Sequence, residues 1–322
     1  MIFNAIDQHE ARSVLVKEMR MLRRMLAIFA SVVSTVSANA QNASNDQASA
    51  TALDDEIVVV GSQEKQATKH QRAAEYVRSV SQAPVSGQYA RWHDPICPRV
   101  TGLDATAATL VETRIRQVAT AAGMPTNVTS CRPNLVVIFT LDGDTTLKRL
   151  EQQRFAYPRS ISPEERRAIR VAKQPVRWWT DTDIEGADGE PLTASPNPGL
   201  GALDLPANQD TKYSSTYSSS MITTKVRAVI PAAVVIVDVT TASGKKLTSV
   251  SDYLAFMVFG RARAVTGIRT PTIARLFDAS CPGCTALTDA DRAYLAGLYR
   301  GPANRPANTT RAALIGGIVA DR

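Results

Sequence analysis

A chain of 322 residues with 44% hydrophobic and 21% charged residues can bury one substantial core or two small ones, which excludes a wholly disordered protein. The net charge of +7 comes from basic residues scattered along the sequence and not interleaved with aromatics, so a nucleic-acid footprint is excluded as well. No stretch approaches the roughly 18 uninterrupted apolar residues of a membrane span, and no transmembrane segment is expected.

Met1 to Glu18 carries Asp7, Glu10 and Glu18, which suits neither a signal peptide nor a folded element, so residues 1–18 are expected to be an extension and Met19 or Met21 the start. Arg20, Arg23 and Arg24 then precede the apolar run Met25 to Val36, and Ala38-Asn39-Ala40 places small residues at the cleavage-determining positions. Residues 19–40 therefore read as a secretory signal cut after Ala40, which implies a periplasmic or secreted protein. Gln41 follows the cut, and without a cysteine there no lipid anchor is expected. Removing five basic and three acidic residues with residues 1–40 leaves a mildly basic chain of net charge +5.

Gln41 to Asp55 is rich in Asn, Ser, Ala and Asp and reads as a disordered arm. Asp54-Asp55-Glu56-Ile57-Val58-Val59-Val60-Gly61 then introduces a β-branched run. It resembles the short strand near the mature N-terminus of TonB-dependent receptors, although no barrel follows. An edge strand of the same domain is the leading reading, and strand addition to an envelope partner is the alternative. Ala73 to Val80 fits a short helix. Trp92 to Pro98 is an irregular entry carrying Cys97.

Apolar residues from Leu103 to Ala122 recur at helical spacing after Asp104, with Gly123 as the stop. Asn134 to Leu141 is too short and too β-branched for a helix and predicts a buried central strand. Asp144 is the expected cap of a helix to Gln153. Ser162-Pro163-Glu164-Glu165 is a capping box that opens a helix to about Lys173. Val176 to Trp179 predicts a short strand whose two tryptophans point to opposite sides, one to the core and one to the surface.

From there to Ser220 the composition turns to Gly, Pro, Ser, Asp and Asn, so residues 181–220 are expected to form a long flexible loop. Ile222 to Ile230 and Ala233 to Thr240 read as a hairpin around Pro231-Ala232. A helix from Thr248 to Phe259, a turn at Ile273 to Phe277, a helix capped by Thr288, a breaker at Asn304 to Thr309 and a final helix from Arg311 complete the chain. The fold class is α+β: one domain over residues 56–322, with a mixed or antiparallel sheet of about four to five strands packed with helices.

All four cysteines lie beyond residue 40, and an even count in an exported chain favours disulfides. Spacing pairs Cys97 with Cys131 around one helix and Cys281 with Cys284 as a local clip. Cys281-Pro282-Gly283-Cys284 also has the spacing of a thiol oxidoreductase, but no strand leads into it and the helix cap Thr288 lies four residues beyond.

Beyond residue 40 only two histidines remain, His70 and His93, neither in a zinc-peptidase arrangement. His93 and Asp94, with the distant Asp252, are the candidates for an unrecognised hydrolase site. Asp181, Asp183 and Glu185, followed by Gly186, match the first half of a calcium loop, yet the closing position holds Leu192, so a solvated turn is the leading reading and calcium the alternative. No nucleophile elbow, P-loop or dinucleotide fingerprint is present, and no cofactor is expected.

On YARWHDPICPRVTGL, CRPNLVVIF, VVIVDV, SDYLAF and LTDADRAYLAGLY the chain resembles a family of uncharacterised secreted bacterial proteins, a resemblance that implies no activity. The order of helix, strand, strands, helix, turn and a last helix ending in Leu-Tyr is similar to metzincin-type zinc peptidases. Where those carry metal histidines on a helix, this chain has Asp252, Tyr253 and Phe256, so the resemblance implies a scaffold without the zinc site. The leading expectation is a non-catalytic envelope or secreted interaction domain. A degenerate peptidase-like hydrolase and a thiol redox protein are the alternatives.

Overall fold

The structure, a computed structural model, describes residues 62–126, 131–153, 157–158, 160–171, 174–190, 192–194, 212–213 and 223–320. The expected extension, signal, arm and Ile57–Val60 strand lie outside them. Helix α1 (Ser62–Val80) begins well before the helix expected from Ala73. Residues 62–72 contain Gln, Glu, Lys and Ala, good helix formers that leave no apolar period to read. Ala73, Tyr76, Val77 and Val80 then bury one face at helical spacing.

Strand β1 (Pro98–Thr101), helix α2 (Ala105–Ala122) and strand β2 (Leu135–Thr140) form a parallel strand–helix–strand unit. Asp104 accepts the Ala107 amide and Gly123 turns the chain at φ 84°, so α2 has the bounds its caps predict. The Cys97–Cys131 disulfide, with Cα atoms 6.0 Å apart, closes the chain around that helix. Gly102 is required where β1 ends: a Cβ there would stand 1.9 Å from the Phe139 carbonyl oxygen.

Helix α3 (Gly143–Gln152) is capped by Asp142, which accepts the Thr145 amide, and not by Asp144; Asp144 sits in the first turn and pairs instead with Arg177. Helix α4 (Pro163–Val171) has the expected reciprocal box, Ser162 with Glu165. Strand β3 (Val176–Thr180) follows. Strands β4 (Asp183–Gly186), β5 (Thr193–Ala194) and β6 (Lys212–Tyr213) fall inside the stretch expected to be one loop. Residues 195–211 and 214–222 of that stretch lie outside the described residues.

Strands β7 (Val226–Val229) and β8 (Ala233–Asp238) do not form the expected hairpin. Pro231-Ala232 lacks the positive-φ residues that a tight hairpin turn needs. Instead β7 pairs with β4 in a separate two-stranded sheet, and β8 enters the main sheet. That sheet has the order β1-β2-β8-β3, parallel except for the antiparallel edge strand β3. A strand with five successive buried residues, Ala233 to Val237, requires neighbours on both sides, which β2 and β3 supply.

Both faces of the sheet are covered. Leu135, Val137, Phe139, Val235 and Val237 face the main core, while Val234, Ile236 and Trp179 join Leu147 and Ile161 in a smaller cluster. The two tryptophans do alternate in direction, but neither is a surface residue: Trp178 packs half-buried against the main core.

Helix α5 (Leu247–Phe259) is buried from Ser249 to Phe259, as expected of a helix apolar on all sides. A 3-10 turn (Ile273–Arg275) precedes helix α6 (Asp289–Arg300), whose Thr288–Asp291 capping box is present, with Leu295 and Leu298 buried beneath it. Helix α7 (Ala307–Ala320) starts four residues before the expected Arg311. Pro306 does not break it, because a proline at the entry gives up an amide that has no helical partner there.

Candidate functional site

The acid and base candidates sit on different elements, His93 and Asp94 ahead of β1 and Asp252 on α5. Asp252, on α5, is 3% exposed and takes a two-pronged ion pair from Arg114 of α2, Nε at 2.6 Å and Nη2 at 3.1 Å. That pair closes the floor of a groove between α2 and Thr285-Ala286. His93 lies in the segment alongside β7, where Arg91 bridges to Val229. Its Nε2 is buried and makes no hydrogen bond, and burial, then Arg227 and Arg91, pushes its pKa down to about 4. Asp94 is exposed, and no hydrogen bond joins His93 to Asp252.

Asp183–Gly186 form strand β4 and not a turn, with Asp183 exposed. Asp181 accepts the Ser160 hydroxyl, and Glu185, on β4, pairs with Arg227 of β7 at 3.0 Å. Among the described residues no group of three His, Cys, Asp or Glu side chains gathers to hold a metal ion. Cys281 and Cys284 are joined in a loop with Cα atoms 5.5 Å apart. The chain before them runs through the 275–278 turn, where Arg275 pairs with Asp278 at 2.9 Å.

The arrangement that stands out is the free edge of β3. Asp181 donates its amide to Ala232, and Asp238 donates its amide to Pro175, which fixes the odd-numbered residues 175–181 as the ones that bond to β8. By antiparallel alternation the N–H and C=O groups of Val176, Trp178 and Thr180 point away from the sheet. At the end of the strand order, those groups meet no strand among the described residues.

A cavity of about 190 Å³ adjoins this edge, lined by Trp178, Trp179 and Thr180, by Ser160 and Glu165 ahead of and within α4, and by Gln82 and Arg261. Helix α4 forms one wall without burying any of its residues. Arg261 forms another, directly after the α5 cap Gly260, at φ 40°. A positive φ is strained for a side-chain-bearing residue and persists only where the surroundings hold it. The Gln82 amide donates to the Arg261 carbonyl at 3.1 Å, and Ala262 bridges to Ser81, so the end of α1 holds this turn.

The Arg261 Nε is shielded from solvent and has no hydrogen-bond partner among the described residues, and burial lowers the pKa of the group. Glu165, on the same wall, accepts the Ser162 amide on Oε2, and its negative charge attracts the Arg261 guanidinium. None of this was visible in the sequence: the free edge follows from topology, and Arg261 reads there as one of several arginines in a Gly- and Arg-rich loop.

The chain finds no match among protein-family models, curated proteins or solved structures. What the fold defines is an α+β protein with two disulfides, in which no described helix is long and apolar enough to cross a membrane.

Proposed function

We propose that this protein is an exported, non-catalytic interaction domain of the cell envelope or secreted fraction, and that it binds extended peptide segments along the free edge of β3. The observation that carries the reading is that edge itself. Among the described residues no strand pairs with the outward backbone groups of Trp178 and Thr180, and both residues, with Trp179, line a cavity, an arrangement in which an added strand gains main-chain hydrogen bonds and aromatic contact together.

Export is supported by the signal-like residues 19–40 and by two disulfides, which persist in oxidising compartments. The non-catalytic reading draws on the resemblance to metzincin-type peptidases. At the positions where a metal site would be built, Tyr253 and Phe256 pack in the core and Asp252 is held by Arg114.

The test is a titration of the purified protein with a library of short peptides of high β-propensity, read by tryptophan fluorescence, beside the Thr180→Pro variant. Proline is tolerated where a strand amide faces outward, so this change removes an edge donor and leaves the β8 ladder intact. The reading predicts saturable binding that Thr180→Pro weakens, with the peptides recovered uncut. Peptide hydrolysis that survives repurification, or no binding by any peptide, overturns it.

A further inference from the structure

A cavity of about 350 Å³ lies between α2 and α6 and shares no lining residue with the one beside β3. Its floor is apolar, made by Val118 and Ala122 of α2, by Leu287 and by Leu295 of α6. Arg114 and Gln117 also line the groove over Thr285-Ala286, so the two depressions adjoin along α2, and the second adds Leu110, 42% exposed. Over its 18 residues α2 is about 27 Å long, enough to lie beside a docked helix of several turns.

The charge of this groove has one sign. No Asp or Glu lines the cavity between α2 and α6, whereas Arg114, Arg292 and Arg300 do. Two of these cations have acids nearby: Asp252 holds Arg114, and Asp289 meets Arg292 at 3.2 Å, with the Arg292 side chain 55% and the Asp289 side chain 76% exposed. A pair so exposed is weak and yields readily to another carboxylate. Arg300 has no carboxylate partner among the described residues. With both acids counted, the groove still carries an excess of positive charge.

No residue lining the cavity belongs to a strand. Both walls are helices whose backbone groups are bonded within their own turns, so an incoming segment must satisfy its own backbone, which selects a helix. Arg292 and Arg300, eight positions apart on α6, are separated by about 12 Å along its axis, with Leu295 and Ala296 between them. We propose that this groove docks an acidic amphipathic helix of a partner protein. Carboxylates seven or eight positions apart on that helix reach Arg292 and Arg300, and apolar residues three and four positions after the first carboxylate pack on Val118, Leu295 and Ala296.

The experiment titrates the protein calorimetrically with the acetylated and amidated peptide Ala-Ala-Glu-Ala-Gln-Leu-Leu-Gln-Ala-Glu-Ala-Gln-Leu-Leu-Ala-Ala and with two counterparts in which both Glu residues are Gln or Lys. Wild type is expected to bind the Glu probe about 3- to 10-fold more tightly than the Gln probe, the worth of two partly exposed ion pairs, and the Lys probe most weakly. Replacing both exposed cations, Arg292→Gln with Arg300→Gln, removes the preference and leaves the Gln probe unchanged, with circular dichroism confirming the fold. Ala121→Trp, at an exposed lining position, weakens all three probes, whereas Thr180→Pro at the β3 edge weakens none. No binding of the Glu probe to wild type, or equal binding of all three probes, overturns the proposal and leaves the β3 edge reading standing. A wild-type dimer that Ala121→Trp separates assigns the groove to a second copy of the chain and overturns it as well.

Discussion

Tyr76 and Asp291, 215 positions apart, meet in the core, where the tyrosine hydroxyl donates to Asp291 Oδ1 at 2.6 Å. The same oxygen accepts the Thr272 hydroxyl at 2.6 Å, while Oδ2 accepts the amides of Ile273 and Thr288, each at 2.9 Å. One carboxylate thereby joins α1, the 272–275 turn and the start of α6. Burial pushes its pKa up, and the four donors oppose that shift.

Removing this hub is expected to be severe. Asp291→Ala strands four donors in a site with no exposure and should cost about 3–5 kcal/mol, while Tyr76→Phe removes one bond and should cost about 1–2 kcal/mol. Urea unfolding with the disulfides intact checks both. A loss below about 0.5 kcal/mol for Asp291→Ala would contradict the assignment.

The Arg114–Asp252 pair is asymmetric, with side-chain exposures of 37% and 4%. Arg114→Ala leaves a buried carboxylate with no cation and should cost about 3 kcal/mol. Asp252→Asn leaves a guanidinium with access to water, so it should cost clearly less. Equal losses in chemical denaturation would place the desolvation elsewhere.

Protonation of His93 opposes folding. Its folded pKa of about 4 lies below the ordinary value of 6.5, so between these values the unfolded chain binds the proton more readily. The His93 contribution to stability is complete above pH 6.5 and is lost as the pH falls through about 4. The urea midpoint measured across this window should fall less steeply with acidification in His93→Gln than in wild type; identical slopes would refute the shift.

The two disulfides should differ in worth. Cys97 and Cys131 are 34 positions apart and Cys281 and Cys284 only 3. In the loop-closure model the first contributes about 4 kcal/mol and the second about 2 kcal/mol. Paired Cys→Ser replacements, compared by thermal unfolding, should destabilise in that order.

Legibility followed locality. Helix α2 was readable because Asp104 and Gly123 sit at its ends, and α6 because Thr288 caps its start. Strand β1 was missed because four residues with Arg99 and Thr101 exposed carry little apolar signal. The first half of α1 was missed because it is polar throughout. The β7–β8 hairpin was mistaken because adjacency in sequence does not report which strand a buried strand will pair with.

The site lay beyond sequence reasoning for the same reason. His93, Asp94 and Asp252 have chemically suggestive side chains, but Asp252 is held by Arg114 and makes no hydrogen bond with His93. Trp178, Thr180 and Arg261 come together only once β3 is placed at the sheet edge and the end of α1 holds the 260–262 turn. Trp178 and Trp179 were the one local clue, and their alternation was legible even though the second covered face of the sheet was not.

The account rests on β3 having a free edge that accepts a strand, and amide hydrogen exchange at that edge tests it most directly. On saturation with a bound peptide of high β-propensity, the amides of Trp178 and Thr180 should gain protection of about tenfold or more, while the amides of Arg177 and Trp179, already bonded to β8, change little. Unchanged exchange at Trp178 and Thr180 in the presence of bound peptide would contradict the claim.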